Sequence, residues 1–168
     1  MRAIISLVEG EGDEKAVPSL IHKVLSDNNR WDWYAGPPIK VRSLGALRKR
    51  LRLHFSRAAQ RKNCEAMLVL LDSDDDCPKE EAKKLAAEIR SLNLAQPVAI
   101  VFAHREYEAW FLASLPTIAG HHNLSPDVVY EGDVEAKRDV KGWFKKQMSR
   151  DRYNPSSHQK KLTKLTSN

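Results

Sequence analysis

The sequence predicts an α/β fold in which a parallel sheet of about four strands is flanked by helices. Two observations support this prediction. Short apolar runs without polar alternation, such as residues 66–71, are typical of strands that are covered on both faces. The segments between these runs carry apolar residues at helical spacing over ten or more positions. Such helices serve as the crossovers of a parallel sheet.

The first predicted unit is a strand followed by a helix. Residues 3–8 are apolar and rich in β-branched side chains, and Gly10 and Gly12 end this run. From Asp13, a residue type that caps helices, apolar side chains recur at helical spacing as far as Leu25. The chain therefore opens with a βα unit.

A connector with Trp31, Trp33 and Tyr34 follows this helix, and we expect its aromatic side chains to pack against the core rather than to stack on bases. Residues 39–41 form a short second strand after a Gly-Pro-Pro turn. The helix predicted at residues 44–59 has an apolar inner stripe, and its outer face is almost entirely positive.

The next part of the chain repeats the pattern. The strand at residues 66–71 ends in Asp72, and a third helix begins at Pro78. A fourth strand at residues 98–102 precedes a helix predicted at residues 106–115.

We expect the 168 residues to form a single domain. Residues 1–115 would be the α/β core, and residues 116–168 a mostly helical, basic C-terminal extension. Residues 137–148 show the best helical pattern of this extension. Its polar end carries a half-formed amphipathic pattern at Leu162 and Leu165, which suggests that the chain lacks a terminal element or leaves it exposed.

Cysteine content and hydropathy narrow the class of protein. Cys64 and Cys77 have no metal-ligand or redox-motif spacing, so the reducing cytoplasm is the default compartment. Apolar runs such as residues 98–103 are far shorter than the ~20 residues that a membrane-spanning helix needs. The N-terminus lacks the pattern of an export signal. We expect neither a membrane span nor export.

The net charge of +6 hides a segregation of charge along the chain. Residues 42–62 carry eight Lys or Arg and no acid, and residues 137–168 carry ten against two acids. The remainder of the chain is therefore acidic. Basic flanks around acidic spots would hold a polyanion beside a cation-binding pocket. The alternative, that the basic runs are ordinary solvated helix faces, stays open.

Acidic residues follow three of the predicted strands. They are Glu9 to Glu14 after the first strand, Asp72 to Asp76 after the third, and Glu106 and Glu108 after the fourth. Residues at the carboxyl ends of parallel strands converge at one edge of the sheet. Carboxylates that meet there repel each other unless a cation intervenes. Mg²⁺ prefers oxygen ligands, so the pattern predicts a site for Mg²⁺ or Mn²⁺.

Each acidic run also has a simpler interpretation. Residues 9–14 could be a glycine turn whose acids cap the next helix. Residues 72–76 could be a solvated turn before Pro78. Glu106 and Glu108 are two positions apart, so on a regular helix only one of them would face the site. A phosphate-binding glycine loop is excluded, because no Gly-Lys-Ser/Thr sequence follows the glycines.

Two motifs resemble those of the Toprim superfamily, which includes topoisomerases, bacterial primases, recombination proteins and OLD-type nucleases. Val8-Glu9-Gly10 resembles the superfamily's glutamate motif, and Asp72-Ser73-Asp74 resembles its Asp-x-Asp motif. An ordered set of four segments is similar to a bacterial Toprim-like family of unknown function, often linked to OLD-type proteins and genome defence. These segments are Glu9–Glu14, Leu71–Asp76, Arg105–Trp110 and Tyr153–Gln159. In that family a further helix follows Gln159, so the resemblance implies an incomplete C-terminal side here.

The resemblance implies roles for individual residues. The metal ligands would be Glu9, Asp72 and Asp74, supported by Glu14, Asp76 and Glu106. The catalytic residues would be Glu9, Asp72, Asp74 and Glu108, and we choose Lys141 as the cation that contacts the scissile phosphate. From the charge pattern, the predicted nucleic-acid-binding residues are Arg48, Arg52, Lys145, Lys146 and Arg150.

The leading hypothesis is a Mg²⁺- or Mn²⁺-dependent Toprim-type phosphodiesterase, a nuclease that acts on DNA or RNA in genome defence or DNA repair. One alternative is a non-catalytic Toprim-like module that binds nucleic acid or a protein partner such as an ATPase. The other alternative is nucleotidyl transfer, which would use the same acids.

Overall fold

The computed structural model describes residues 1–148 and 152–166, and it confirms the α/β prediction with a parallel five-stranded sheet flanked by helices and a helical C-terminal region. The strands are β1 (Arg2–Val8), β2 (Trp33–Ala35), β3 (Ile39–Lys40), β4 (Cys64–Asp72) and β5 (Val98–Ala103). The helices are α1 (Glu11–Asp27), α2 (Leu44–Lys49), α3 (Leu51–Ala59), α4 (Pro78–Arg90), α5 (Ala109–Ala113), α6 (Leu115–Ile118), α7 (Val140–Gln147) and α8 (Pro155–Thr163).

The two longest strands, β1 and β4, lie next to each other at the centre of the sheet. The strand order is β2-β1-β4-β5, and β3 pairs with the carboxyl end of β1 while β2 pairs with its amino end. All of these pairings are parallel. The carboxyl ends of β1, β4 and β5 therefore meet at one edge of the sheet, as the acidic runs require.

Side chains that alternate along β1 and β4 pack into two apolar cores. Ile5, Leu7 and Val69 belong to the core that α2, α3 and α4 cover. Val8 and Leu70 point to the opposite face, where α1 and the C-terminal helices cover them. The C-terminal region packs on the same core as α1 and contributes buried side chains to it. These are Val140, Phe144, Tyr153 and Leu162.

Helix α8 lies against the first turn of α1. A Cβ atom added at Gly12 would come within 2.7 Å of the Cβ of Pro155, so glycine is what permits this close approach. The Gln159 amide donates to Asp13, and the Lys15 ammonium donates to the carbonyl of Ser156. The start of α1 is thus held by a segment more than 140 residues away.

Several predicted boundaries were wrong. Helix α1 begins at Glu11 rather than at Asp13, because Gly10 is the residue in extended conformation before it. The expected helix at residues 44–59 is divided in two at Arg50, whose φ of −130° is not helical. The connector with Trp33 contains strand β2, which the sequence pattern did not predict. The helix expected at residues 106–115 begins only at Ala109.

Candidate functional site

The acidic cleft is a depression of about 450 Å³ at the carboxyl edge of the sheet. Carboxylates from the ends of β1 and β4 meet there with residues of α1, α7 and α8. Its lining consists of Glu9, Gly10, Glu11, Gly12, Asp13, Asp72, Asp74, Lys141, Pro155, Ser156 and Gln159. Of the predicted site residues, Glu9, Asp72, Asp74 and Lys141 are brought together by this cleft.

Asp72 is the last residue of β4, and two donors fix its carboxylate. Its Oδ1 accepts from the backbone N–H of Tyr107 at 2.8 Å, and its Oδ2 accepts from the Lys141 ammonium at 3.3 Å. Burial raises the pKa of Asp72 from 3.8 to about 6, although Lys141 and the Tyr107 N–H act in the opposite direction. Asp72 is therefore held by two donors, and its burial makes it costly to ionise even beside Lys141.

The loop after β4 is tied to the loop after β5. The backbone N–H of Asp74 donates to the carbonyl of Arg105, and the N–H of Arg105 donates to the Ser73 hydroxyl. Asp74 adopts a positive φ of 50°, a conformation that aspartate tolerates better than most residues. This bracing presents the exposed Asp74 side chain at the rim of the acidic cleft.

Glu9 follows β1 and lies among other carboxylates. Its pKa is raised from 4.5 to about 7, mainly by burial and further by the charges of Asp72, Asp74 and Asp13, against an opposing effect of Lys141. Within the described residues no Lys, Arg or His nitrogen lies within 4 Å of the Glu9 carboxylate. Glu9 can therefore exchange a proton near neutral pH.

The Lys141 ammonium lies among three carboxylates from three different positions. It is 3.3 Å from Asp72 Oδ2, 3.6 Å from Glu108 Oε2 and 3.9 Å from Glu106 Oε1. Burial alone would lower the pKa of Lys141, but these carboxylates outweigh burial and raise it. Lys141 thus stays protonated and forms a fixed positive charge beside the cleft.

Glu106 and Glu108 both contact Lys141, contrary to the expectation that only one of them would face the site. They lie in the turn before α5, where helical spacing does not apply. Glu106 Oε2 also accepts from the backbone N–H of Lys141 at 3.1 Å, near the start of α7. This bond fixes the backbone from which the Lys141 side chain extends.

Glu108 is completely buried and its surroundings only partly satisfy it. Its Oε1 accepts from the Tyr153 hydroxyl at 2.8 Å, whereas its Oε2 has no hydrogen-bond partner. Burial raises the pKa of Glu108 from 4.5 to about 7, against the opposing effects of Lys141 and Tyr153. Because its side chain has no exposed surface, Glu108 positions Lys141 rather than contacting a substrate.

The other predicted ligands lie outside the cleft. Glu14 pairs with Lys40 at 3.1 Å, and Asp76 is exposed and does not line the cleft. Asp13 was predicted only as a helix cap, yet it lines the cleft. Its two oxygens accept from the Gly10 N–H and the Gln159 amide. Asp13 lies in the Glu9–Glu14 motif, so its place in that acidic run could have identified it.

The four predicted nucleic-acid-binding residues that the structure describes are divided between the two faces of the sheet, with α2 and α3 on one face and α7 on the other. Arg48 is half-buried and pairs with Glu81 at 3.1 Å and Glu88 at 2.9 Å, so its charge is already neutralised. Arg52 is exposed on α3. Lys145 and Lys146 are exposed at the end of α7. Arg150 lies outside the described residues.

No group of three His, Cys, Asp or Glu side chains in residues 1–148 and 152–166 has the arrangement of a metal site. Mg²⁺ is usually held by one or two carboxylates together with water and substrate phosphate, so it does not need such a group. Glu9, Asp72 and Asp74 supply the hard oxygen donors that suit it. Burial contributes most to the raised pKa of Glu9, and the charges of Asp72, Asp74 and Asp13 add a repulsion that a divalent ion would offset.

None of the helices in the described part of the chain is long and apolar enough to cross a membrane.

No curated protein and no solved structure matches this chain. A family model described as a domain of unknown function, DUF4276, matches residues 8–166. Because this match covers nearly the whole chain, the protein belongs to the DUF4276 family.

Proposed function

We propose that this chain is a Toprim-type phosphodiesterase that uses Mg²⁺ or Mn²⁺ to cleave nucleic acid. The observation that carries the proposal is the meeting of Glu9, Asp72 and Asp74 with the ammonium of Lys141 in one cleft. Paired carboxylates suit a divalent ion, and an adjacent fixed cation suits the phosphate that the ion would bind. The two free cysteines are consistent with a reducing cytoplasm as the compartment of this activity.

Glu9, Asp72 and Asp74 would hold the ion. When bound, a divalent ion supplies polarisation of the phosphoryl oxygen and lowers the pKa of a bound water. The charges of the three carboxylates would then be offset, so the costs that raise the pKa of Glu9 and Asp72 would fall.

The remaining steps belong to side chains of this protein. The Glu9 carboxylate lies in the cleft beside Asp72 and Asp74 and can take a proton from an attacking water. The Lys141 ammonium lies beside Asp72 and can offset charge that develops on the phosphate oxygens. Glu106 and Glu108 also lie within 4 Å of that ammonium and help to hold it in place.

The test is a cleavage assay with labelled single- and double-stranded DNA and RNA, with and without Mg²⁺ or Mn²⁺. We expect metal-dependent cleavage of at least one substrate and its loss by about 100-fold or more in Asp72→Asn. The matched control is Asp27→Asn, which changes an exposed carboxylate at the end of α1 and should cleave like the unmodified chain. Circular dichroism would check that both variants are folded.

Three outcomes would contradict the proposal. Binding without cleavage of any substrate would favour the non-catalytic module that binds nucleic acid or an ATPase partner. Lengthening of a primer in the presence of nucleotides, without cleavage, would favour nucleotidyl transfer. Cleavage that Asp72→Asn leaves undiminished would place the activity elsewhere.

A further inference from the structure

The α2–α3 layer carries positive charge that the protein itself does not neutralise. Of the eight Lys and Arg residues in positions 42–62, only Arg48 has a carboxylate within 4 Å among the described residues. The other seven side chains are all exposed. They are Arg42, Lys49, Arg50, Arg52, Arg57, Arg61 and Lys62. An array of like charges of this size favours an external polyanion.

Part of this charge lines a concave surface, which we call the basic groove. The groove measures about 510 Å³ and lies between β3 and the end of α3. Lys40, Arg57 and Arg61 supply three cations, and Gln60 supplies an amide. Pro38 and Ile39 complete the lining, which contains no acid. A groove with this lining matches an anionic ligand.

Lys40 connects the basic groove to the acidic cleft. In the parallel pairing of β3 with β1, Lys40 lies beside Val8, and Val8 is the residue that precedes Glu9. Its ammonium is 3.1 Å from Glu14 and 3.9 Å from Glu11, and Glu11 lines the acidic cleft. Lys40 therefore lies where the groove comes toward the edge at which the carboxylates meet, whereas Arg57 and Arg61 lie nearer the start of β4.

We propose that the basic groove binds the phosphodiester backbone of a nucleic-acid strand and directs it to the acidic cleft. The guanidinium groups of Arg57 and Arg61 can each bind a phosphate through two hydrogen bonds, and they have no competing carboxylate within 4 Å in the described chain. Further cations lie along α3 beyond the groove. A polymer with repeated phosphates would contact such a row of cations, whereas a single small anion would need only one or two of them. The basic groove would then be the substrate-binding surface of the proposed phosphodiesterase. That the bound strand continues to the acidic cleft rests on this proposed function.

The test measures binding without cleavage. Fluorescence anisotropy of a labelled 20-nucleotide single strand, and separately of its duplex, would be recorded in EDTA over a range of salt concentrations. For the double variant Arg57→Ala/Arg61→Ala we expect about tenfold weaker binding, and a plot of log Kd against log salt that is shallower by about 2. Both side chains are exposed, so the fold should survive, and circular dichroism would verify this.

The matched control is Lys79→Ala/Arg90→Ala, which removes two exposed cations from α4. It should bind within about twofold of the unmodified chain, because α4 does not line the basic groove. The single-strand and duplex arms identify which form of the backbone the groove prefers, and preferential binding of either supports the proposal.

Two results would overturn the inference. One is a groove variant whose affinity and salt dependence equal those of the unmodified chain. The other is absence of binding to both the single strand and the duplex at low salt, and binding of vesicles with phosphoinositide headgroups in that case would identify a lipid surface as the ligand of the groove. Failure of the phosphodiesterase proposal would look different, because the groove variant would still lose affinity although no substrate is cleaved with Mg²⁺ or Mn²⁺.

Discussion

The carboxylates at the sheet edge form two groups that differ in what neutralises them. The inner group, Glu106 and Glu108, lies against the Lys141 ammonium, and Tyr153 donates to Glu108. The outer group, Glu9 and Asp74, has no cationic nitrogen within 4 Å in the described part of the chain. Asp72 lies between the two and contacts Lys141.

This difference identifies the acids that remain available for a ligand. The inner pair already has its cation, and Glu108 is fully buried while Glu106 keeps only part of its side chain exposed. The outer carboxylates keep a charge that only a proton or an added cation can offset, as the raised pKa of Glu9 reflects. All of these acids follow predicted strands in the sequence. In the structure they differ in whether the Lys141 ammonium lies close to their carboxylate.

Lys141→Met should cause the largest change in stability, because it leaves the buried Glu108 without its cation. Removing one partner of a buried pair costs 3–5 kcal/mol, and partial solvent screening of Lys141 reduces our expectation to about 2–3 kcal/mol at pH 8. The free energy of unfolding would be measured by urea denaturation. The control, Lys145→Met, changes an exposed lysine of the same helix and should cost less than about 0.5 kcal/mol.

The free energy of unfolding that Lys141→Met loses should increase as the pH rises. Because the pKa of Glu108 is raised from 4.5 to about 7, the folded chain binds a proton between these values that the unfolded chain has released. Ionising Glu108 thus costs stability as pH rises through this window. Without Lys141 this cost grows, so the variant should approach the unmodified chain at pH 5. Equal losses in Lys141→Met and Lys145→Met would contradict the comparison.

The parts of the fold that apolar runs specify could be predicted from the sequence. The ends of strands β1, β4 and β5 lie within one or two residues of the predicted ends, because each strand is a long run of apolar residues. Strand β2 was missed, since its three half-buried residues carry no such run. The break between α2 and α3 was also missed, because the apolar stripe continues across Arg50.

In the candidate site, the residues at strand ends could be predicted from the sequence, but contacts between residues far apart in the chain could not. Strand ends predicted that Glu9, Asp72 and Asp74 would converge, and they line one cleft. No local pattern links Tyr153 to Glu108 or Gln159 to Asp13, since these pairs are 45 and 146 residues apart. Lys141 was chosen along with the roles that the family resemblance implied, and no local pattern predicted its partners. Its three carboxylate partners became visible only once α7 was placed against the turn before α5.

Tyr153→Phe should have a smaller effect on the inner group. It removes the 2.8 Å hydrogen bond to Glu108 Oε1, and Oε2 already lacks a partner, so the buried carboxylate loses its one hydrogen bond among the described residues. We expect a loss of about 1–2 kcal/mol in the free energy of unfolding at pH 8, measured in urea. Tyr130→Phe is the control, because its hydroxyl makes only an exposed 3.4 Å bond to a carbonyl. A loss no greater than that of the control would show that Tyr153 does not support Glu108.

Glu9→Gln should have the smallest effect, and it should act in the opposite direction. In metal-free buffer at pH 8 the ionised Glu9 is unfavourable in the folded chain, because its pKa is raised from 4.5 to about 7. Since the folded chain binds the proton more tightly, stability falls as pH rises through this window. The neutral amide avoids this cost, so we expect a gain of about 1 kcal/mol at pH 8 and none at pH 4.

The control for this gain is Glu65→Gln, an exposed glutamate of β4 that should leave the melting temperature unchanged. Thermal melts in EDTA and in millimolar Mn²⁺ would then test the outer group directly. A ligand that binds only the folded chain raises its melting temperature, so Mn²⁺ should stabilise the unmodified chain more than Glu9→Gln. If Mn²⁺ stabilised both equally, or Glu9→Gln destabilised the metal-free chain at pH 8, Glu9 would not be an uncompensated carboxylate of an ion site. The outer group would then resemble the inner one.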